Sequence, residues 1–213
     1  MLRSNYIYRL ESLRAELLQL GTAVEESMAR AIRSLHTHNT AVALWVINND
    51  NYIDEARDTL ETRVVTLLAT QQPIVAGDLR LLMVTTAIAN ELERIADYAS
   101  GIAGRFYRRP ELMAQFTLPE QFLSYAEQVR HSIHLSLQAF LAVDEQIARN
   151  VIARDIQIDA MHDELHSALV TAARTAPEQL DIVIDLIDTS NVLERAADRA
   201  GNIAERVLYL IGS

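Results

Sequence analysis

The chain has 213 residues, half of them apolar, with few aromatics, six glycines, four prolines and a formal charge of −10. That mixture suits a helical bundle with a substantial core, and the lack of any cysteine excludes disulfide frameworks, thiolate nucleophiles and cysteine-type zinc sites. All nineteen basic residues are arginine, which removes Walker, Schiff-base and kinase-type lysines, and the acidic balance argues against a duplex-binding surface and for cations or a basic partner.

The N-terminus, M-L-R-S-N-Y-I-Y-R-L-E, is charged early and does not read as a signal peptide. No run approaches the ~18 apolar residues of a membrane span. A soluble cytoplasmic protein, at most peripheral to a membrane, is the expectation.

From about Ser4 to Leu35, Leu10, Leu13, Leu17, Leu20, Val24, Ala31 and Leu35 keep the three-and-four spacing of a helix with a buried seam. Asn39 or Thr40 can cap a second helix, which extends to about Thr70 through Val46, Ile53, Leu60 and Leu67. Pro73 breaks the pattern. A third helix follows through Leu82, Ile88, Leu92, Ile95 and Ile102 to about Tyr107. The segment from Arg108 to Glu120, with Pro110 and Pro119, loses periodicity and reads as a linker between halves. A fourth helix runs from near Pro119 to Val143, a fifth from about Glu145 to Ala173, and a sixth, after the break at Pro177, to the end. No stretch alternates with period two. The spacing predicts an all-α chain of six long helices, two pseudo-symmetric three-helix bundles in tandem at residues 1–109 and 118–213.

The last helix carries N-V-L-E-R-A-A-D-R-A-G-N-I-A-E from Asn191 to Glu205, and the third carries E-L-E-R-I-A-D-Y-A-S-G-I-A from Glu91 to Ala103. Aligning Glu93 with Glu194 sets Asp97 on Asp198, Ala99 on Ala200, Ile102 on Ile203 and Ala103 on Ala204, which points to a duplication. Residues four apart share a helix face, roughly 6 Å from one another. Asp54 lies 19 residues before Pro73 and Glu93 lies 20 after it, while Asp50 lies 23 before and Asp97 lies 24 after, so in an antiparallel hairpin the two pairs are level. Around Pro177, Asp159 lies 18 before and Glu194 lies 17 after, while Asp155 lies 22 before and Asp198 lies 21 after. Each half is expected to hold four carboxylates: Asp50, Asp54, Glu93 and Asp97, then Asp155, Asp159, Glu194 and Asp198.

Like charges so close repel by about 1 kcal/mol per pair in water, and more when partly buried. A metal held through oxygen ligands would compensate them, magnesium, manganese and iron among others. The plainer reading is solvated acids with local partners such as Arg94, Arg195 and Arg199. For one D-x-x-x-D that reading prevails; two level-matched copies favour metal. H-D-E-L-H at His162 to His166 resembles the zinc-protease motif, yet Asp163 stands where its general-base Glu is required. His162 continues the face of Asp155 and Asp159, so an auxiliary ligand and an exposed histidine pair both stay open. His131 and His134 read as solvated, Trp45 as packing, and Asp181, Asp185 and Asp188 as acids favoured by a helix N-terminus.

At these residues the chain resembles the PhoU family of regulators of bacterial phosphate uptake. The resemblance spans nearly the whole chain and rests on D-N-Y-I-D at Asp50 to Asp54, Q-P-I-V-A-G-D-L-R at Gln72 to Arg80, L-E-R-I-A-D-Y-A at Leu92 to Ala99, and the second copies R-D-I-Q-I-D and L-E-R-A-A-D-R-A-G-N-I-A-E. It implies two similar three-helix bundles whose E/D-x-x-x-D motifs hold multinuclear metal clusters, iron or zinc, at the eight acids. It also implies a non-catalytic cytoplasmic adaptor between the ATPase subunit of a phosphate ABC transporter and a sensor histidine kinase, with homodimer formation left open and no nucleic acid as partner. Such an adaptor damps phosphate-starvation signalling and transport when phosphate is plentiful. Two departures stand out: Gly101 replaces Asn202 of the second copy, and T-A-P-E-Q-L-D replaces the fuller proline stretch in the second half. The competing readings are a carboxylate-bridged di-metal enzyme, which needs repeated E-x-x-H motifs that the chain lacks, and a structural helical protein without metal.

Overall fold

The computed structural model describes residues 2–71, 73–113 and 116–212. It is all-α among these residues, with seven helices: α1 (Leu2–Thr37), α2 (Thr40–Thr70), α3 (Ala76–Arg108), the single turn α4 (Pro110–Met113), α5 (Glu120–Ala142), α6 (Glu145–Thr175) and α7 (Leu180–Ile211). The six long helices are those the periodicity predicts. Gln72, at the start of the proline stretch, lies outside the described residues.

Local chemistry fixes the helix ends. His38 turns into the left-handed region at φ 51, and the Asn39 amide reaches back to the Ser34 carbonyl at 3.0 Å. Asn39 then caps α2, its side-chain oxygen accepting from the amides of Ala41 and Val42 at 3.0 and 3.1 Å. The α5–α6 turn repeats the device with Val143 at φ 52 and Asp144 accepting from the Ile147 amide at 3.0 Å. Before α7 a 3₁₀ turn spans Pro177–Gln179. The stretch read as a linker between halves carries the single turn α4, and Met113 and Leu118 within it are buried. Two apolar side chains sinking into the core hold it against the bundle.

Helices α1, α2 and α3 pack on one another, as do α5, α6 and α7, and the halves meet through α3 against α7 and α1 against α5. Both junctions are antiparallel. Arg80 stacks over Tyr209, Glu91 pairs with Arg199, and Arg105 with Asp188 along the first; Arg14 donates to the Phe140 carbonyl, Gly21 faces Leu137, and Glu25 meets His134 along the second. The result is a ring of α1, α3, α7 and α5 flanked by α2 and α6. Ala99, Ile102 and Ala103 of α3 and their repeats Ala200, Ile203 and Ala204 of α7 are all fully buried. These small and apolar positions face the core, so the opposite face of each helix is free to carry the acids. Among the described residues no helix is long and apolar enough to cross a membrane.

Candidate metal centre

In the first half, Asp50 and Asp54 project from α2 and Glu93 and Asp97 from α3, and the hairpin register brings the two pairs together. Partial burial raises the pKa of Asp50, Glu93 and Asp97, and the acids raise one another: Asp97 and Asp54 act on Asp50, Asp97 and Asp54 on Glu93, and Asp54 on Asp97. The Ser100 hydroxyl partly offsets the effect at Asp50. Arg57, one turn on from Asp54, offsets it at Glu93 and Asp97. Its guanidinium stands 3.7 Å from the Glu93 carboxylate and shares itself with Asp58 at 2.9 Å.

The second half repeats the arrangement on α6 and α7. Burial raises the pKa of Asp155 and Asp198; Asp159 and Asp198 add to it at Asp155, while Glu194 and Asp159 add to it at Asp198, against Arg199 and Arg195. Beneath them Tyr125 of α5 is fully buried, its hydroxyl donating to the Ser190 carbonyl at 3.3 Å. Burial pushes that phenol far up, and Glu194, Asp159 and Asp198 push it further. The acidic field therefore reaches into the core.

The structure thus gathers the eight acids into the two groups of four. Asp97, Asp159 and Asp198 are exposed, and the other five are half-buried. Among the described residues no three His, Asp or Glu side chains converge closely enough to hold one ion between them. Turning these side chains inward brings like charges nearer, which costs energy unless a cation offsets it. The donor chemistry fits a hard or borderline cation: carboxylate oxygens only at the first group, carboxylates with an adjacent imidazole at the second.

Other residues stand apart from the sequence reading. His162 is no exposed histidine: its side chain is 12% exposed, tilted against Tyr125 and bonded to Asn191 at 3.0 Å, whereas His166 is exposed. Arg94 and Arg195 are exposed, and Arg199 turns to Glu91 at 3.2 Å together with Asn202 at 3.3 Å. Asn202, whose place Gly101 takes in the first half, thus serves the junction between halves. Asp185 and Asp188, read as acids that merely favour a helix start, pair with Arg109 and Arg105 across that junction at 3.6 and 3.8 Å. Trp45 packs beneath the Arg30 guanidinium, 3.8 Å from its ring centre. Arg57, Tyr125 and Asn191 were missed; aligning Asp54 with Asp159 sets Arg57 opposite His162, the one signal that could have found the arginine.

The model of the PhoU domain matches residues 17–106 and 122–207, segments that contain all eight acids. A Pseudomonas aeruginosa relative described as a phosphate-specific transport system accessory protein PhoU homolog is 31% identical over 205 residues, covering 95% of this chain and 83% of its own length. The crystal structure of PhoU from Pseudomonas aeruginosa has a TM-score of 0.90 to this chain at 30% identity, over 98% of this chain and 100% of that one. That of the phosphate transport system regulatory protein PhoU from Streptococcus pneumoniae has a TM-score of 0.85 at 25% identity, over 98% of each. With both halves matched by the domain model and the whole fold shared with solved members, the chain belongs to the PhoU family.

Proposed function

We propose that this protein is a cytoplasmic, non-catalytic adaptor of phosphate homeostasis that lowers phosphate-starvation signalling and phosphate ABC transport when phosphate is abundant. The observation that carries the reading is the match of both halves to the PhoU domain, together with a relative, matched over 83% of its length, described as a phosphate-specific transport system accessory protein PhoU homolog. Its partners on this reading are the ATPase subunit of the transporter and a sensor histidine kinase. Asp50, Asp54, Glu93 and Asp97 hold one metal cluster, and Asp155, Asp159, Glu194 and Asp198 hold the other, with iron or zinc as the metal. A bound cation supplies what the apo groups lack: positive charge that draws the splayed carboxylates together and stiffens the α2–α3 and α6–α7 hairpins. Two copies of the chain assembling as a homodimer would present both clusters twice to the transporter.

The test is complementation. In a bacterium deprived of its own PhoU, this chain restores repression of a phosphate-starvation reporter in high-phosphate medium; a reporter that stays on despite folded, abundant protein would refute the adaptor reading. Beside it, mass spectrometry of protein purified without chelator finds iron or zinc in the wild type and none in a variant with Glu93, Asp97, Glu194 and Asp198 changed to Ala. Equal metal in both would remove the clusters from the proposal.

A further inference from the structure

The stretch from Pro73 to Arg80 has no full counterpart in the second half, and the patch it builds is apolar. Val75 stands at the cap of α3, and Leu79 and Met83 follow at steps of four on one exposed face of that helix. Val65 lies eleven residues, about three turns, on from Asp54 and shares its face of α2. The register that sets Arg57 3.7 Å from Glu93 brings Val65 close to the level of Met83. On the other side Arg80, between Leu79 and Met83 in the chain, stacks over Tyr209 with its guanidinium 5.3 Å from the ring centre. Val65, Val75, Leu79, Met83 and Tyr209 are 43–68% exposed. Large apolar side chains gathered in water at one end of one face are the kind of patch that marks an interaction site.

The second half does not repeat it. A step of 101 takes Leu79 and Met83 to the exposed Leu180 and Ile184, but Val75 to the smaller Ala176, and the reverse step takes Tyr209 to Arg108. A step of 105 takes Val65 to the half-buried Val170. Beyond the patch, the α2–α3 face turns acidic. Asp54, Asp58 and Glu61 of α2 and Glu93 and Asp97 of α3 share it, and Arg57 among them is divided between Asp58, Glu61 and Glu93 at 2.9, 3.8 and 3.7 Å. Five carboxylates around that guanidinium leave the groove between the helices negative. Glu93 lies ten residues beyond Met83 and Asp97 eighteen beyond Leu79, about 15 and 27 Å along α3. The groove is thus apolar at the hairpin tip and acidic about three to five turns away.

We propose that this face docks a basic amphipathic helix of a partner protein, its apolar side chains seated on Met83 and the residues around it and its arginines or lysines reaching the acids further along. A helix of about 20 residues, roughly 30 Å long, covers both parts, and the cleft between two antiparallel helices is the shape that a third helix fills. Charge decides between occupants. A second copy of this chain packed face to face would bring the same carboxylates against these, and an anionic lipid surface would meet them with its own charge; a basic segment relieves the repulsion. The inference goes beyond the adaptor reading, because it states what a partner's contact segment must carry, and it needs no bound metal.

The probe is a fluorescent synthetic helix of about 20 residues, alanine-rich, with leucines at three-and-four spacing in its first half and arginines on the same face of its second. Its anisotropy is followed as the full chain is added, with chelator present. Binding should saturate, weaken as salt is raised, and vanish for the same peptide with glutamate in place of arginine. Leu79→Asp and Met83→Asp should each weaken it at least about tenfold; both sites are exposed, so an unchanged melting midpoint shows that the fold is kept. Asp58→Asn with Glu61→Gln, outside the eight paired acids, should weaken it about threefold, and Ile184→Asp in the second half should leave it unchanged. No binding, or binding that ignores Met83→Asp or the peptide's charge, would overturn the proposal. So would sedimentation showing a dimer that Met83→Asp splits, which assigns the patch to a second copy, or flotation with anionic vesicles that Met83→Asp abolishes, which assigns it to lipid. Repression of the phosphate-starvation reporter is read separately, so the adaptor reading can survive a failure here.

Discussion

Val143 closes α5 in the left-handed region at φ 52 and ψ 47, a conformation that a β-branched residue resists by about 1–2 kcal/mol. It is tolerated because the Asp144 amide reaches the Ala139 carbonyl at 3.0 Å and closes the turn. The side chain is partly exposed and contributes little core. Val143→Asn should therefore stabilise the protein by about 1 kcal/mol, raising the midpoint of thermal unfolding by about 2–4 °C for a chain of this size; a lower midpoint would mean that the valine packs more than its exposure indicates. Asp97→Asn is expected to act with two signs. It removes a charge that Asp54 and Asp50 oppose, so the metal-free protein should be unchanged or up to about 1 kcal/mol more stable, small because the group is exposed and screened. Chelator competition should at the same time show weaker metal binding, and a variant that lost stability while keeping its metal would assign Asp97 to the fold instead. The shared helix faces of the eight acids were legible because acids four apart on a regular helix, doubled at a matched distance from a proline, leave a periodic signal. Tyr125 and Asn191 were not, since a lone tyrosine on a seam reads as core and an asparagine beside a longer motif reads as part of its helix.

Gly21 shows what the α1–α5 junction requires. A Cβ built there would lie 2.7 and 2.8 Å from the two methyl carbons of Leu137, closer than side chains tolerate. The helices come together at that glycine, with Arg14 bonded to the Phe140 carbonyl on one side and Glu25 2.9 Å from His134 on the other. Gly21→Leu should force the helices apart or Leu137 off its rotamer, at a loss of about 1–3 kcal/mol, read as a lower urea midpoint with unchanged slope. Gly101 provides the control, because a Cβ there meets nothing within 4 Å and Gly101→Ala should not destabilise. Helix existence and the level of each hairpin followed from spacing alone: a seam of three-and-four steps makes a helix, and a short break makes neighbours antiparallel. Which helices join the two halves did not follow. An apolar stripe says that a face is buried without naming what covers it, so the ring of α1, α3, α7 and α5 emerges only in three dimensions. Asp185 and Asp188 illustrate the loss: only Asp181 lies in the first turn of α7, where a helix dipole acts, and the reach of Asp185 and Asp188 to Arg109 and Arg105 needs the partner helix in place.

Across the whole molecule the carboxylates set the sign of the pH response. Burial first and neighbouring acids second raise Asp50, Glu93, Asp97, Asp155 and Asp198 above their ordinary range. A carboxyl whose folded pKa exceeds its unfolded value holds its proton more tightly when folded, so over that interval the native state binds more protons and stability falls as pH rises. The loss begins near the unfolded value of about 4 and is complete once the pH passes the raised folded values. For metal-free protein these five groups thus favour the fold at mildly acidic over neutral pH. A bound divalent ion inverts the dependence, because its ligands must be deprotonated and acid expels it; the metal-loaded protein should lose stability on acidification through the same interval. Other groups titrate too, so the measurement is a difference. Melting midpoints between pH 4.5 and 7.5 are compared with those of the Glu93, Asp97, Glu194 and Asp198 to Ala variant, each with chelator and with excess zinc. With chelator the wild type should gain on the variant as the pH drops; with zinc it should lose ground. Parallel curves in both conditions would mean that the eight acids are independent surface charges, and neither their mutual repulsion nor a cation would then account for their placement on matched faces of two hairpins.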